Sequence, residues 1–332
     1  MITNPLGFAA RAHGDARTRH GWSKALQLAP DLYPGVGGKR FRAALVQWAH
    51  AFAGGGGRAP EAVIDAVEML HAASLVIDDF EDDSQTRRGQ PALHRVIGPA
   101  RAVNAGNWMY FRALEIAGSA YDHPAKSGTL LTRFIEVARQ CHEGQAIDLS
   151  TRVDEVTPRQ AQATAVAISR WKTGRLVSLA AWCGAHAADG DPQILRAVAG
   201  FGCRVGICLQ MRNDLDELTA LVAGADRHDD LRNRRVTWPW AWAAVELSDH
   251  EFARLQRRLR QLPRHPAACR PLARELLEVI QCRAVAAIAA RLDRAIDRLT
   301  AATGAARGID ALAEVIDALR VATMPTAVEV TP

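Results

Sequence analysis

The chain has 332 residues, 48% of them hydrophobic and 23% charged, with a formal net charge of +5, which excludes a disordered polymer and leaves room for one large domain or two ordinary ones. Lysine occurs only at Lys24, Lys39, Lys126 and Lys172, so the excess is almost wholly arginine. So small an excess suits a polyanionic small substrate as well as nucleic acid, and no nucleic-acid module or aromatic-interleaved basic patch is present, so no nucleic-acid partner is expected.

From the N-terminus, MITNPLGFAARAHGDAR lacks the basic-then-apolar layout of a secretory leader, and no uninterrupted apolar stretch reaches the ~18 residues of a membrane span. A cytoplasmic protein without stable membrane insertion is expected. The six cysteines (Cys141, Cys183, Cys203, Cys208, Cys269, Cys282) form no CxxC pair and read as small buried hydrophobes. Gly37-Gly38-Lys39-Arg40-Phe41-Arg42 sets basic side chains beside glycines that let backbone approach a ligand.

Apolar residues then recur at helical spacing, as in Ala62-Val63-Ala66-Val67-Leu70 and later in Leu276-Val279-Ile280-Ala284-Ile288-Leu292. Alternating β-branched runs are scarce, so the chain reads as all-α. Breakers separate the helices at Gly54 to Gly57, Gly89-Gln90-Pro91, Pro124, Pro158, Gly190-Asp191-Pro192, Pro239 and Pro263 to Pro266. Thr157-Pro158 is an N-cap followed by proline at the first helical position. None of the breaks has the length or polarity of a linker, so a single domain over 1–332 is expected, with a motif-bearing core at about 35–245 and C-terminal helices over 246–324.

The stretch SLVIDDFEDDSQTRRGQPALH ends an apolar helix in Asp78, Asp79, Glu81, Asp82 and Asp83 and follows at once with Arg87 and Arg88. Helical spacing puts Asp78 and Asp82 on one strip and Asp79 and Asp83 on the next. Carboxylates one turn apart can share Mg²⁺, which prefers oxygen ligands and binds substrate phosphates, while arginines suit a diphosphate. A solvated acidic helix end is the plain alternative. Trp171-Lys172-Thr173-Gly174 sets a rare lysine beside a hydroxyl, and a surface turn reads the same way. A second polar island, Leu209-Gln210-Met211-Arg212-Asn213-Asp214-Leu215-Asp216-Glu217, spaces Gln210 from Asp214 and Asn213 from Glu217 by one turn; the wet face of an amphipathic helix would do the same. Read jointly, two helices ending apolar runs in carboxylates can clamp a metal–diphosphate cluster.

LHAASLVIDDFEDDSQTRRGQPALH, preceded by GGKRFR and followed in order by GNWMYF, CHEGQAIDL, WKTG and LQMRND, resembles the trans-isoprenyl diphosphate synthases, and among them the short-chain geranylgeranyl diphosphate synthases of the polyprenyl synthetase family. The resemblance implies a helical bundle around a central apolar cavity, a homodimer, and a transferase joining isopentenyl diphosphate to an allylic diphosphate (dimethylallyl, geranyl or farnesyl) with up to three Mg²⁺. It implies Asp78 and Asp82 as Mg²⁺ ligands with Asp79 in support, and Lys172, Thr173 and Gln210 beside them with Arg87 nearby. Asn213 and Asp214 would hold a further metal. Lys39, Arg42, His71 and Arg88 would hold the diphosphate of isopentenyl diphosphate, and Arg235 stands where the family has a lysine. Ala73 and Ser74, both small, would leave the product tunnel open above a floor of Tyr110, Phe111 and His142, which implies a C20 product; ordinary core aromatics are the alternative.

The pattern departs from the family at Asn213, where an aspartate is usual, and at a downstream lysine with no clear equivalent beyond Arg227. An Asn-Asp start also opens a terpene-cyclase reading, although Glu217 and Leu221 fill the places of that motif's hydroxyl and acid, and Lys39, Arg42, His71 and Arg88 would be idle. A weakly active partner subunit is a third reading, against which the first aspartate motif is intact. Residues after about 245 read as amphipathic helices with solvated or interfacial basic faces, and 325–332 as a frayed end.

Overall fold

The computed structural model describes residues 41–87, 89–225 and 229–304; Lys39, Arg88, Arg227 and the 325–332 tail lie outside them. The all-α class expected from periodicity is what forms. In order come α1 (Phe41–Phe52), α2 (Glu61–Glu81), α3 (Leu93–Ile97), α4 (Pro99–Gly118), α5 (Pro124–Ser150), α6 (Pro158–Ile168), a π-helical turn (Ser169–Gly174), α7 (Arg175–Ala187), α8 (Pro192–Val222), α9 (Asp229–Arg232), α10 (Trp238–Glu246), α11 (Asp249–Gln261) and α12 (Cys269–Thr303). The sole strand pairing among the described residues is β1 (Thr86–Arg87) antiparallel to β2 (Gln90–Pro91), with Thr86 opposite Pro91 and Arg87 opposite Gln90.

Several boundaries follow from local chemistry. Thr157 and Gln160 close a reciprocal capping box, with Thr157 Oγ1 accepting from Gln160 N at 3.3 Å and Gln160 Oε1 accepting from Thr157 N at 2.9 Å. Asp191 caps α8 by accepting from Gln193 N at 2.7 Å and Ile194 N at 2.9 Å. Ser248 and Glu251 form a second capping box at α11, whose buried stripe is Phe252, Leu255 and Leu259. The basic face of α11 partly pairs across helices, since Arg254 and Arg258 both reach Glu275 of α12.

Two compact units are built from these elements, one over residues 69–113 and one over 41–68 and 114–304. The smaller has a core of Ala72, Ala73 and Val76 from α2, Leu93 from α3, and Ala102, Ala105 and Met109 from α4. Four of these seven are alanines, so the facing helices pack closely; a Cβ added at Gly106 would meet Ile77 Cδ1 at 2.7 Å.

In the larger unit α8 is the central rod, packed most extensively against α7 and α12. It buries Val198, Phe201, Val205, Cys208, Met211, Leu215 and Leu218. Of the apolar repeat on α12, Leu276, Ile280, Ala284, Ile288 and Leu292 are buried and Val279 is half-buried. Each fully buried aliphatic side chain there contributes about 1.5–3 kcal/mol. α8 is also the one described helix whose length and composition would let it cross a membrane; half of its most apolar window is buried within the fold.

Candidate functional site

The acidic motif of the smaller unit sits where α2 runs out. Asp78 and Asp79 occupy its last turn, whereas Asp82 and Asp83 lie in the turn beyond it. One further helical hydrogen bond, Asp82 N donating to Asp78 O at 2.9 Å, keeps Asp78 and Asp82 a turn apart as the spacing requires. Asp83 then takes a left-handed conformation (φ 53°), which aspartate tolerates better than most side chains.

The four aspartates meet different surroundings. Asp79 is fully buried, and Arg87 donates to it through Nε (2.8 Å to Oδ1, 3.0 Å to Oδ2) and Nη2. A fork of that kind is the strongest geometry available to an Arg–carboxylate pair. It ties β1 back to α2, so the structure makes Arg87 a partner of Asp79. Arg87 Nη2 also lies 3.8 Å from Asp78 Oδ2. Asp83 pairs with Arg95, while Asp78 and Asp82 are half-buried. Two carboxylates one turn apart at a half-exposed helix end are hard oxygen donors fitted to Mg²⁺. Among the described residues no three His, Cys, Asp or Glu side chains converge to cage an ion.

The expected tunnel residues separate. Ala73 has no accessible surface and belongs to the core of its unit. Ser74 is half-buried and donates its hydroxyl to His71 O at 2.7 Å. Tyr110 is half-buried against the same core, but Phe111 is 71% exposed, which corrects the reading of it as a floor or core residue. One residue along a helix is a rotation of about 100°, and at this point of α4 that rotation carries Phe111 out of the core that Tyr110 touches. His142 is also exposed, with Nδ1 2.9 Å from Ala138 O in its own helix, and is likewise corrected as a floor residue.

In the larger unit the second set converges. Trp171-Lys172-Thr173-Gly174 is no surface turn: it forms most of the π-helical turn joining α6 to α7. Such turns place an extra residue in the helix and occur often at functional sites. Two glycines permit it. A Cβ at Gly144 of α5 would lie 2.5 Å from Lys172 N, and one at Gly206 of α8 would lie 2.8 Å from Gly174 Cα.

Across this contact Lys172 Nζ donates to Asp148 Oδ2 at 2.8 Å. Thr173 Oγ1 donates to Gln210 Oε1 at 2.5 Å, Gln210 Nε2 donates to Asp214 Oδ1 at 2.7 Å, and Trp238 N donates to Asp214 Oδ2 at 2.9 Å. The chain is fixed from behind by Trp238 Nε1, which donates to Ser169 Oγ at 2.7 Å. Burial pushes the Asp214 carboxyl up to about 7; the Trp238 N–H and Gln210 amide oppose the rise and the charges of Glu217 and Asp148 add to it. A cation brought beside this carboxyl would draw it down again.

Gln210 and Asp214 thus stand together as their spacing predicts. Asn213 is exposed on the neighbouring strip, and Glu217 accepts from Asp230 N at 3.1 Å. Arg42 is half-buried in the first turn of α1, its charge acting on the Cys141 thiol. Arg235 is buried, and its Nη1 donates to the carbonyl of Asp148 at 2.8 Å, satisfying one of the carbonyls a helix C-terminus leaves open. Sequence reasoning missed Asp148, Ser169 and the backbone of Trp238. Asp148 had a signal, since it is the one aspartate of the CHEGQAIDL motif; the other two had none.

The chain matches the family model described as polyprenyl synthetase over residues 24–276. It is 32% identical over 206 residues to a geranylgeranyl pyrophosphate synthase of Eremothecium gossypii, covering 61% of this chain and 64% of that protein. It is 30% identical over 204 residues to a geranylgeranyl diphosphate synthase of Methanosarcina mazei, covering 61% and 62%. These matches span less than two thirds of either relative. Among solved structures, a polyprenyl synthase of Caulobacter crescentus complexed with calcium and isoprenyl diphosphate superposes with a TM-score of 0.72 at 27% identity, over 94% of this chain and 91% of that one. With the family model covering well over half its length, the chain belongs to the polyprenyl synthetase family.

Proposed function

We propose that the chain is a trans-prenyltransferase that condenses isopentenyl diphosphate with an allylic diphosphate, ending at geranylgeranyl diphosphate, and that it works in the cytoplasm as a homodimer built from one polyprenyl synthetase-like domain per chain. The observation that carries the reading is the polar chain Thr173–Gln210–Asp214 with the Lys172–Asp148 pair beside it, in a member of this family. Asp78 and Asp82 would hold Mg²⁺, with Asp214 and Asn213 offering further oxygens. Bound Mg²⁺ supplies charge that stabilises a departing diphosphate. Lys172, aimed by Asp148, adds a fixed cation to that stabilisation, and a preorganised charge needs no rearrangement as the allylic C–O bond ionises. The Thr173 hydroxyl, whose one proton goes to Gln210 Oε1 without substrate, would turn that proton to an oxygen of the diphosphate when it binds. The alkene of isopentenyl diphosphate then attacks the allylic cation, and loss of a proton to the released diphosphate restores a double bond and completes the product. Arg42 and His71, with Lys39 and Arg88, are assigned to the second diphosphate. Support for the substrate class comes from the named relatives.

The test is incubation of purified chain with Mg²⁺ and farnesyl diphosphate, with and without isopentenyl diphosphate. A C20 diphosphate that forms only when both substrates are present is the expected result. Cyclic hydrocarbons or alcohols in the absence of isopentenyl diphosphate would replace this reading with a cyclase; products centred on C25 and longer from farnesyl diphosphate, or on C15 when dimethylallyl diphosphate is the primer, would remove the chain-length part.

A further inference from the structure

Seven arginines line one groove of the larger unit, a cavity of about 1220 Å³, and a single carboxylate, Glu136, lines it with them. Arg133 comes from α5, Arg170 from the π-helical turn and Arg175 from the start of α7. α8 contributes Arg196 and Arg204, and α12 contributes Arg291 and Arg298. Glu136 is already engaged, accepting from Arg133 Nη1 at 2.8 Å.

Like charges drawn together from five elements repel, and folded proteins ordinarily relieve this with interleaved carboxylates. Here aromatic rings do part of the holding. The guanidinium of Arg133 lies over Trp182 at 5.6 Å, that of Arg175 over Trp171 at 4.8 Å, and that of Arg291 over Trp238 at 5.4 Å. A ring face fixes a cation without neutralising it. The Nε atoms of Arg133 and Arg175 are buried and have no hydrogen-bond partner among the described residues. The groove's hydroxyls are turned to backbone carbonyls: Thr129 Oγ1 to Ala125 O, Thr132 Oγ1 to Gly128 O, and Ser178 Oγ to Ala199 O. The open donors of the groove are therefore guanidinium N–H groups. Burial first, and then the charge of Arg298, lower the proton affinity of Arg204, as two groove cations drawn together require.

We propose that this groove is a binding site for a phosphate polyanion carrying two or more phosphate groups. Planar forks match phosphate oxygens in pairs, and arginines spread over several helices need several such groups to engage them. Neither Asp78, Asp82, Lys172 nor Gln210 lines the groove, so the assignment stands apart from the proposed reaction.

The probe is inorganic tripolyphosphate in chelator, followed by calorimetry and by thermal unfolding, with vesicles of phosphatidylcholine containing phosphatidic acid as the second arm. Wild-type protein should bind tripolyphosphate saturably, and Arg204→Gln with Arg298→Gln should weaken binding at least tenfold. Arg196→Gln alone should weaken it less, and Lys172→Met should leave it unchanged. Without ligand the double variant should melt no lower than wild type, because repulsion has been relieved, which separates lost binding from lost folding. Arginine-dependent vesicle binding without tripolyphosphate binding would overturn the multi-phosphate assignment in favour of single-phosphate lipid headgroups. No saturable binding in either arm, binding that ignores the groove arginines, or binding lost in Lys172→Met would overturn the proposal.

Discussion

Replacing Arg87 with alanine removes every N–H that its guanidinium gives to Asp79, a carboxylate with no accessible surface. The Arg87 side chain is itself only 19% exposed, so solvent does little to screen the pair. Breaking a buried pair by deleting one partner costs about 3–5 kcal/mol, most of it from stranding the remaining charge. With an unfolding entropy of about 2.1 cal/mol/K per residue, 332 residues give about 0.7 kcal/mol/K, so the expected fall in Tm is about 4–7 °C. Arg87→Lys keeps the charge but loses the fork and should fall between wild type and Arg87→Ala. Asp79→Asn combined with Arg87→Ala should recover part of the loss, because the stranded charge is gone. The assay is thermal unfolding by circular dichroism in chelator, so that no cation substitutes for the guanidinium. If Arg87→Ala melts within 1 °C of wild type, Arg87 does not anchor Asp79 and the reading of it as a substrate contact alone is restored.

Gly144→Ala should destabilise by about 1–3 kcal/mol, the ordinary cost of overpacking, because its Cβ would meet backbone of the π-helical turn at 2.5 Å and 2.8 Å; thermal melts check this. In native protein Cys282, which is exposed, should react with iodoacetamide at pH 8 well before Cys141, whose thiol burial pushes up to about 12, or Cys183, which is fully buried; peptide mapping reads the order. His186, stacked on Trp182 at 4.5 Å, has its proton affinity lowered first by burial. A folded value below the unfolded one means its contribution is fully present above about pH 6.5, the unfolded value, and is lost as pH falls from there through the lower folded value. Melts at pH 7.5 and 5 should therefore show a smaller acid-side loss in His186→Phe than in wild type.

Periodicity and capping chemistry made the helices legible. Both are local: Thr157 with Gln160 needs only three residues of separation, and Leu276 to Leu292 declares its face by spacing alone. The π-helical turn was not legible, because Gly174 and a hydroxyl beside Lys172 look like any turn. What makes the segment helical is the approach of Gly144 and Gly206, which are 30 residues before and 32 after Gly174. Phe111 was misplaced for a different reason. The resemblance assigned it to the floor by position, and nothing local to Tyr110-Phe111 says which of the two rings leaves the core.

The density of acid at the end of α2 has a physical resolution that the sequence left open among cations, solvent and basic partners. The structure assigns a different relief to different strips. Asp79 turns inward and is met by Arg87, and Asp83 turns along the chain and is met by Arg95; these are the two aspartates of one strip. The other strip keeps Asp78 and Asp82 half-buried and a turn apart. An arginine fork on Asp79 fixes the end of α2, and the same guanidinium stands 3.8 Å from Asp78 Oδ2 of the second strip. A single like-charged cluster is in this way divided between a structural pair, which needs no metal, and a pair of oxygen donors suited to one. Neutralising Asp79 should therefore lower stability in chelator and in Mg²⁺ alike, whereas neutralising Asp82 should reduce the extra stability gained when Mg²⁺ and a diphosphate are supplied together.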